Sequence, residues 1–219
     1  DGEFISIDDV LDTVTKIQKR ITIALSVDCE RGYGKTNEEI VQNIKAIIQA
    51  GAVGINIEDG LSSNCELINI DEQCKIIEDI CTLKNELDIN FVINARTDAF
   101  WLKIGETKEE QLSLSIKRAN RYLKAGADCV FVPGVLTKAD IEILVHHIHG
   151  PVNIIATPTS PNIQELQELG VSRVSLGSGP VRASLAIIKN IANEIIKEGT
   201  FHNMYKTTIA YDKANYLFK

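Results

Sequence analysis

Apolar and polar positions along the chain alternate between two periods. Six short runs are almost continuously apolar and rich in β-branched residues: 21–27, 53–57, 91–95, 129–132, 152–156 and 174–176. Such runs predict strands buried on both faces, as in a parallel sheet. Between them, apolar residues return every three or four positions, the spacing of one helix face. Ile40, Ile44, Ile47 and Ile48 do so within 37–49, and Ile76, Ile77, Ile80, Leu83 and Leu87 within 72–87. Segments 109–124, 138–147 and 181–197 read the same way. QAGAVG, KAGADC and QELGVS each put a glycine at a helix end with a strand directly after it.

The resulting order is one helix and then six β/α units, with no linker between them. Alternation of this kind implies a parallel α/β fold, either an eight-stranded barrel or an open doubly wound sheet. Six strands are two short of a barrel. In both architectures function gathers at the C-terminal ends of the strands. Those ends read VDCERGYG, NIEDG, NARTDAF, FVPGV, ATPTSP and LGSGP, and the first three hold the charge: Asp28, Glu30, Glu58, Asp59, Arg96 and Asp98.

Composition narrows the partners. A chain of 219 residues with 44% hydrophobic and 24% charged residues has enough apolar material for one substantial core. A net charge of -7 argues against nucleic acid, whose phosphates select basic faces. An acidic protein can still take an anionic substrate where a metal ion or local arginines supply positive charge. Cys29, Cys65, Cys74, Cys81 and Cys129 form no C-x-x-C pair. Cys74 and Cys81 sit among isoleucines as expected buried thiols, which suits a reducing, cytoplasmic compartment. No apolar run approaches the ~18 residues of a membrane span, so no membrane partner is expected.

The stretch DCERGYGKT admits two chemical readings. A phosphate loop needs G-x-x-x-x-G-K-[ST], and GKT at 34–36 puts the first required glycine at Cys29, between two carboxylates that would repel a polyphosphate. A metal site fits better. Asp28 and Glu30 are two apart and would point the same way on a continuing strand, while Glu58 ends the next strand. Three convergent carboxylates need a divalent cation to offset their repulsion, and oxygen-only ligation selects magnesium or manganese over zinc. The plainer reading is that these acids cap helices or stay solvated. HHIHG (His146, His147, His149) reads as a helix end favoured by the helix dipole, and Glu109–Glu110 with Lys117–Arg118 as a solvated helix face.

DCERGYG, GINIEDG, INARTDAF, AGADCVFVPG and GPVNI, in this order, resemble the isocitrate lyase/phosphoenolpyruvate mutase superfamily, and the likeness runs from Asp1 to the closing YDKANYLF. The resemblance implies a (β/α)8 TIM-type parallel barrel, of which this chain supplies six strands. It implies a Mg-dependent lyase or phosphonomutase-type enzyme, cleaving or rearranging a C–C or P–C bond in a small 2-oxo or 2-hydroxy acid through an enolate. Magnesium, with manganese as the substitute, would rest on Asp28, Glu30 and Glu58, largely through bound water. Asp28, Glu58 and Arg96 would be the catalytic group. Arg96 would grip the substrate carboxylate or phosphonate, Asp1 would be a loop aspartate near the substrate, and Arg182 a carboxylate contact.

Departures from the family pattern bear on the reaction. Where lyases carry K-[KR]-C-G-H, this chain has GLSSNCEL: Cys65 lacks the flanking lysine and G-H, and the mutase lysine falls at Asn64. Pro133 stands where a mutase has histidine and a lyase glutamate. An oxo-acid decarboxylase or hydrolase branch follows, with an inactive, ligand-binding barrel as the alternative. The family begins with two further strands, so residues 1–199 are expected to form an N-terminally incomplete barrel. Residues 200–219, with Phe201, Tyr205, Tyr211, Tyr216 and Phe218, would be a helical segment exchanged between subunits of a homodimer or homotetramer.

Overall fold

The computed structural model describes residues 3–61, 65–135, 137–206 and 208–217. The chain divides into two compact units, Asp1–Ser175 and Leu176–Lys219.

In the first unit, α1 (Ile7–Gln18) precedes β1 (Ser26–Asp28) and α2 (Asn37–Gln49), and β2 (Gly54–Glu58) follows. A two-stranded hairpin, β3 (Gly60–Leu61) and β4 (Glu66–Leu67), leads into α3 (Ile70–Leu87). Regular alternation resumes with β5 (Val92–Arg96), α4 (Lys108–Lys124), β6 (Cys129–Phe131), α5 (Lys138–His147), β7 (Val152–Ile155), α6 (Ile163–Glu168) and β8 (Arg173–Ser175). The sheet order is β1-β2-β5-β6-β7-β8, every pair parallel. Strands therefore lie side by side in chain order, as in a barrel wall, without the mid-sheet reversal of a doubly wound fold. Six parallel strands curl into a half-barrel accompanied by helices.

Local chemistry explains the boundaries. Ser6 and Asp9 form a reciprocal capping box at α1, and Asn162 and Glu165 form another at α6. Thr36, Thr107 and Thr137 each accept a backbone N–H in the first turn of α2, α4 and α5. The core is dominated by isoleucine: Ile44, Ile47, Ile55, Ile77, Ile80 and Ile93 are all fully buried. β2 is buried along its whole length, as an interior parallel strand should be.

The first apolar run behaves differently from the sequence expectation. Only its C-terminal end becomes strand β1, and Ile23 is 74% exposed. Its one sheet neighbour, β2, starts at Gly54, and ladder bonding begins with Val53 N–H donating to the Leu25 carbonyl. Among the described residues no strand pairs with the run upstream of Leu25.

The second unit holds α7 (Gly179–Glu198), α8 (His202–Tyr205) and α9 (Tyr211–Tyr216). Buried Glu194 fastens the turn after α7, accepting hydrogen bonds of 2.6 Å each from the Thr200 hydroxyl and the backbone N–H groups of His202 and Asn203. Phe201, Tyr205, Tyr211, Tyr216 and Leu217 are exposed. Phe218 lies outside the described residues, as do Asp1 and Asn64. No helix among the described residues is long and apolar enough to cross a membrane. All five cysteines are free thiols; Cys74 is buried and Cys81 half-buried.

Candidate active site

β1 ends on Asp28, and the chain then turns rather than continuing. Cys29 N–H donates to the Asn56 carbonyl at 2.9 Å, and Glu30 takes a left-handed backbone, φ 48°. A side chain rarely adopts that conformation unless its surroundings impose it. Here the Glu30 carbonyl accepts from Glu58 N–H at 2.8 Å, and Glu30 N–H donates to Asp28 Oδ1 at 3.3 Å. The expectation that Asp28 and Glu30 share a face of one strand is therefore corrected: a turn, not strand pleating, sets Glu30. The Glu3 carboxylate holds the next turn, accepting from Arg31 N–H at 3.2 Å and Tyr33 N–H at 2.8 Å.

Parallel register brings the strand ends together. Asp28 pairs with Asn56 and Asn56 with Asn94, while Glu58 pairs with Arg96. Side chains repeat the same alignment. Asn94 Nδ2 donates to Asn56 Oδ1 at 2.8 Å, and Asn56 Nδ2 donates to Asp28 Oδ1 at 2.9 Å. This row of amides fixes the Asp28 carboxylate from one side.

Arg96 lies between two acids. Its Nη1 is 2.7 Å from Glu58 Oε2, and its Nε donates to Asp98 Oδ1 at 2.7 Å. Glu58 Oε2 is shut off from solvent and, although close to the guanidinium, receives no aligned hydrogen bond. Burial pushes the Glu58 carboxyl up to about 8; the Arg96 charge opposes the shift, and Asp98, Glu30 and Asp28 add to it. Asp98 is raised as well, by burial first, with Arg96 pulling the other way. Near neutral pH the Glu58 carboxyl is therefore largely protonated.

Beneath this layer sits a support that the sequence reading misplaces. Asp59 is fully buried; its Oδ1 accepts from Asp98 N–H at 2.8 Å, and its Oδ2 accepts from Arg118 Nε at 2.7 Å and from the Tyr122 hydroxyl at 2.5 Å. Arg118 also donates through Nη2 to the Ile68 carbonyl. The solvated face expected at Lys117–Arg118 is thus wrong for Arg118, which is 6% exposed. Its position in α4 carried the signal. Arg118 stands three after Ser115 and four before Tyr122, on the stripe that buries Leu112, Ser115, Ala119 and Tyr122. Gly60 completes the packing, because a Cβ there would collide with Asp98 Oδ2.

Asp28, Glu58 and Arg96 are thus gathered at neighbouring strand ends, with Glu30 close enough to influence Glu58. Asp1 is outside the described residues. Arg182 lies in the second unit, exposed in the first turn of α7. Among the described residues no three His, Cys, Asp or Glu side chains form a group able to hold an ion directly. The donors are nonetheless all oxygens, and Glu58 Oε2 is a buried acceptor without a hydrogen bond. That set fits a magnesium ion that keeps several waters and touches the protein largely through them.

The phosphoenolpyruvate phosphomutase family model matches residues 1–196. An uncharacterised protein of Mycobacterium tuberculosis is 36% identical over 78% of this chain and 61% of its own length. The chain therefore spans under two thirds of that relative. The 2-methylisocitrate lyase of Escherichia coli K12 is 27% identical, over 96% of this chain and 73% of the lyase. Among solved structures, a protein of Burkholderia cenocepacia J2315 provisionally assigned as a phosphonomutase superposes with a TM-score of 0.83 at 33% identity, covering 89% of this chain and 78% of that one. Phosphonopyruvate hydrolase, solved with oxalate and Mg2+, shares the fold at 22% identity with a TM-score of 0.80, over 99% of this chain and 76% of that one.

Proposed function

The chain belongs to the phosphoenolpyruvate phosphomutase family, within the superfamily that includes isocitrate lyase, and on that premise we propose that it is the catalytic unit of a Mg2+-dependent enzyme acting on a small 2-oxo or 2-hydroxy acid. The reaction is cleavage or rearrangement of a C–C or P–C bond next to the oxo carbon. The observation that carries this reading is the Glu58–Arg96–Asp98 cluster beside Asp28, with its enclosed carboxylate oxygen and raised Glu58 carboxyl.

Each residue has a role that follows from its placement. Asp28, locked by the Asn56 amide, and Glu58 would hold the hydrated magnesium, with Glu30 at its flank. Bound there, magnesium supplies positive charge to the oxygens of a substrate that becomes an enolate. Arg96 spends Nε and Nη1 on Asp98 and Glu58, which leaves its outer N–H groups for a substrate carboxylate or phosphonate. The guanidinium expected from the sequence to grip the substrate would thus be shared with the protein's own acids. Glu58, whose carboxyl is pushed up to about 8, can hold or release a proton.

Turnover of oxaloacetate, methylisocitrate and phosphonopyruvate, measured with magnesium and with EDTA, tests the reading. One of these acids should be consumed with magnesium only. Magnesium-independent turnover, or no binding of any of the three, would sink it. The exposed aromatic residues Phe201, Tyr205, Tyr211 and Tyr216 further support a C-terminal segment that packs on a second copy of the chain. Light scattering at micromolar concentration should then report a dimer or tetramer, and a monomer would count against it.

A further inference from the structure

The turn after β1 is held in an unusual shape from two sides. Glu30 and Tyr33 both take left-handed backbone, at φ 48° and 55°, with Gly32 at φ 98° between them. Glycine adopts this conformation freely, but two residues with side chains do so only where other contacts offset the strain. Gly32 packs directly on α2, where a Cβ would collide with Ile40 Cγ2.

Two side chains from other parts of the chain supply the offsetting contacts. Glu3, before α1, takes the donors of the turn: its Oε1 accepts from Arg31 N–H at 3.2 Å and from Tyr33 N–H at 2.8 Å. Asn43, on α2, takes the acceptors: its Nδ2 donates to the Gly32 carbonyl at 3.1 Å and to the Tyr33 carbonyl at 2.9 Å. A carboxylate thus meets backbone amides and an amide meets backbone carbonyls, each suited to the groups it faces. Together they form a clasp around residues 31–33.

This clasp adjoins the strand-end carboxylates directly. Glu30 immediately precedes Arg31; its N–H donates to Asp28 Oδ1 at 3.3 Å, and its carbonyl accepts from Glu58 N–H at 2.8 Å. A turn that relaxed would therefore loosen a contact to the Asp28 carboxylate and one to the end of β2 at the same time.

We propose that Glu3 and Asn43 are positioning residues for the cation, holding the turn so that Asp28, Glu30 and Glu58 keep the spacing a hydrated magnesium needs. The inference rests on the reading of those three acids as the magnesium site. Magnesium tolerates little departure from octahedral geometry, so the placement of its ligands matters more than their charge alone. Groups that orient metal ligands without touching the ion are commonly worth about 10–100-fold in affinity.

Calorimetric titration of the complete protein with magnesium chloride tests it, with thermal unfolding of each metal-free variant as the check on folding. Glu3→Ala should weaken magnesium binding by about tenfold or more. Glu3→Gln keeps a side-chain oxygen for the same two N–H groups and should recover most of that affinity. Asn43→Ala leaves the Glu3 contacts in place and should act in the same direction as Glu3→Ala, which gives a second reading if the latter fails to fold. Unchanged magnesium affinity in the alanine variants, whatever their Tm, would overturn the proposal, because the clasp would then serve stability alone. Equal losses in Glu3→Gln and Glu3→Ala would overturn it too, since Glu3 would then act through its charge and not by orienting the turn. If the unaltered protein binds no magnesium, the proposed function falls and this inference with it; if it binds and the variants match it, only this inference falls.

Discussion

Arg96→Met is expected to destabilise the first unit by about 3–5 kcal/mol at pH 8, the range for removing one partner of a buried charge pair. The variant would leave Glu58 and Asp98 facing each other without their shared cation, in a place where both side chains are nearly enclosed. The loss should shrink towards pH 5. Glu58 is pushed up to about 8 and Asp98 is raised in the same direction, so acid removes negative charge that the missing guanidinium would have balanced. Urea unfolding at the two pH values reads this directly. A loss of the same size at both would mean that the arginine acts through the packing of its stem rather than its charge. Arg96→Lys keeps the charge and should recover part of the stability. It lacks the planar fork, so kcat/KM on the best oxo-acid should stay at least about tenfold below the unaltered enzyme.

Glu58→Gln should change the pH dependence of stability more than any other single substitution in the site. In the unfolded chain this carboxyl titrates at its ordinary value of 4.5, and in the fold at about 8. Between those values the native state holds a proton that the unfolded state has released. Stability from this group is therefore full below about pH 4.5 and is lost as pH rises through about 8. Without metal, the stability difference between Glu58→Gln and the unaltered protein should move in favour of the variant from pH 5 to pH 8.5, by roughly 3–4 kcal/mol. Saturating magnesium should cancel that movement in the unaltered protein, since a cation favours the ionised carboxylate. A difference curve flat with pH would show that Glu58 ionises normally and that its neighbours, not burial, decide its charge.

Much of the frame was legible because strand and helix periods are local properties. The runs at 53–57 and 91–95 each became a strand one residue further on, at Gly54–Glu58 and Val92–Arg96, so that the acidic or basic residue after the apolar run joins the ladder. The end of β1 was less legible, since the geometry of Glu30 comes from a turn that Glu3 and Glu58 stabilise from distant parts of the chain. The hairpin of β3 and β4 was not anticipated, because two-residue strands leave no periodic trace. Arg118 illustrates the other failure. Charge suggested solvent, whereas helix phase placed it beneath Asp59, and phase decided its burial. Asp59 and Asp98 stood out as charged strand-end residues, but only the fold shows that one anchors the other and that Asp98 in turn braces Arg96.

The row Asp28–Asn56–Asn94 also acts as a ruler for assembly. Parallel strands made mostly of isoleucine and valine distinguish poorly between neighbouring alignments, because almost any offset buries similar apolar area. A slide of β2 by one residue would turn Asn56 to the opposite face of the sheet and break both of its amide contacts, leaving the buried amides of Asn56 and Asn94 without each other. Correct alignment is thus selected by three polar side chains rather than by the apolar residues around them. The price is a site whose formation and whose strand pairing are one event: a chain that mispairs these strands cannot assemble its carboxylates, and one that assembles them has already paired correctly.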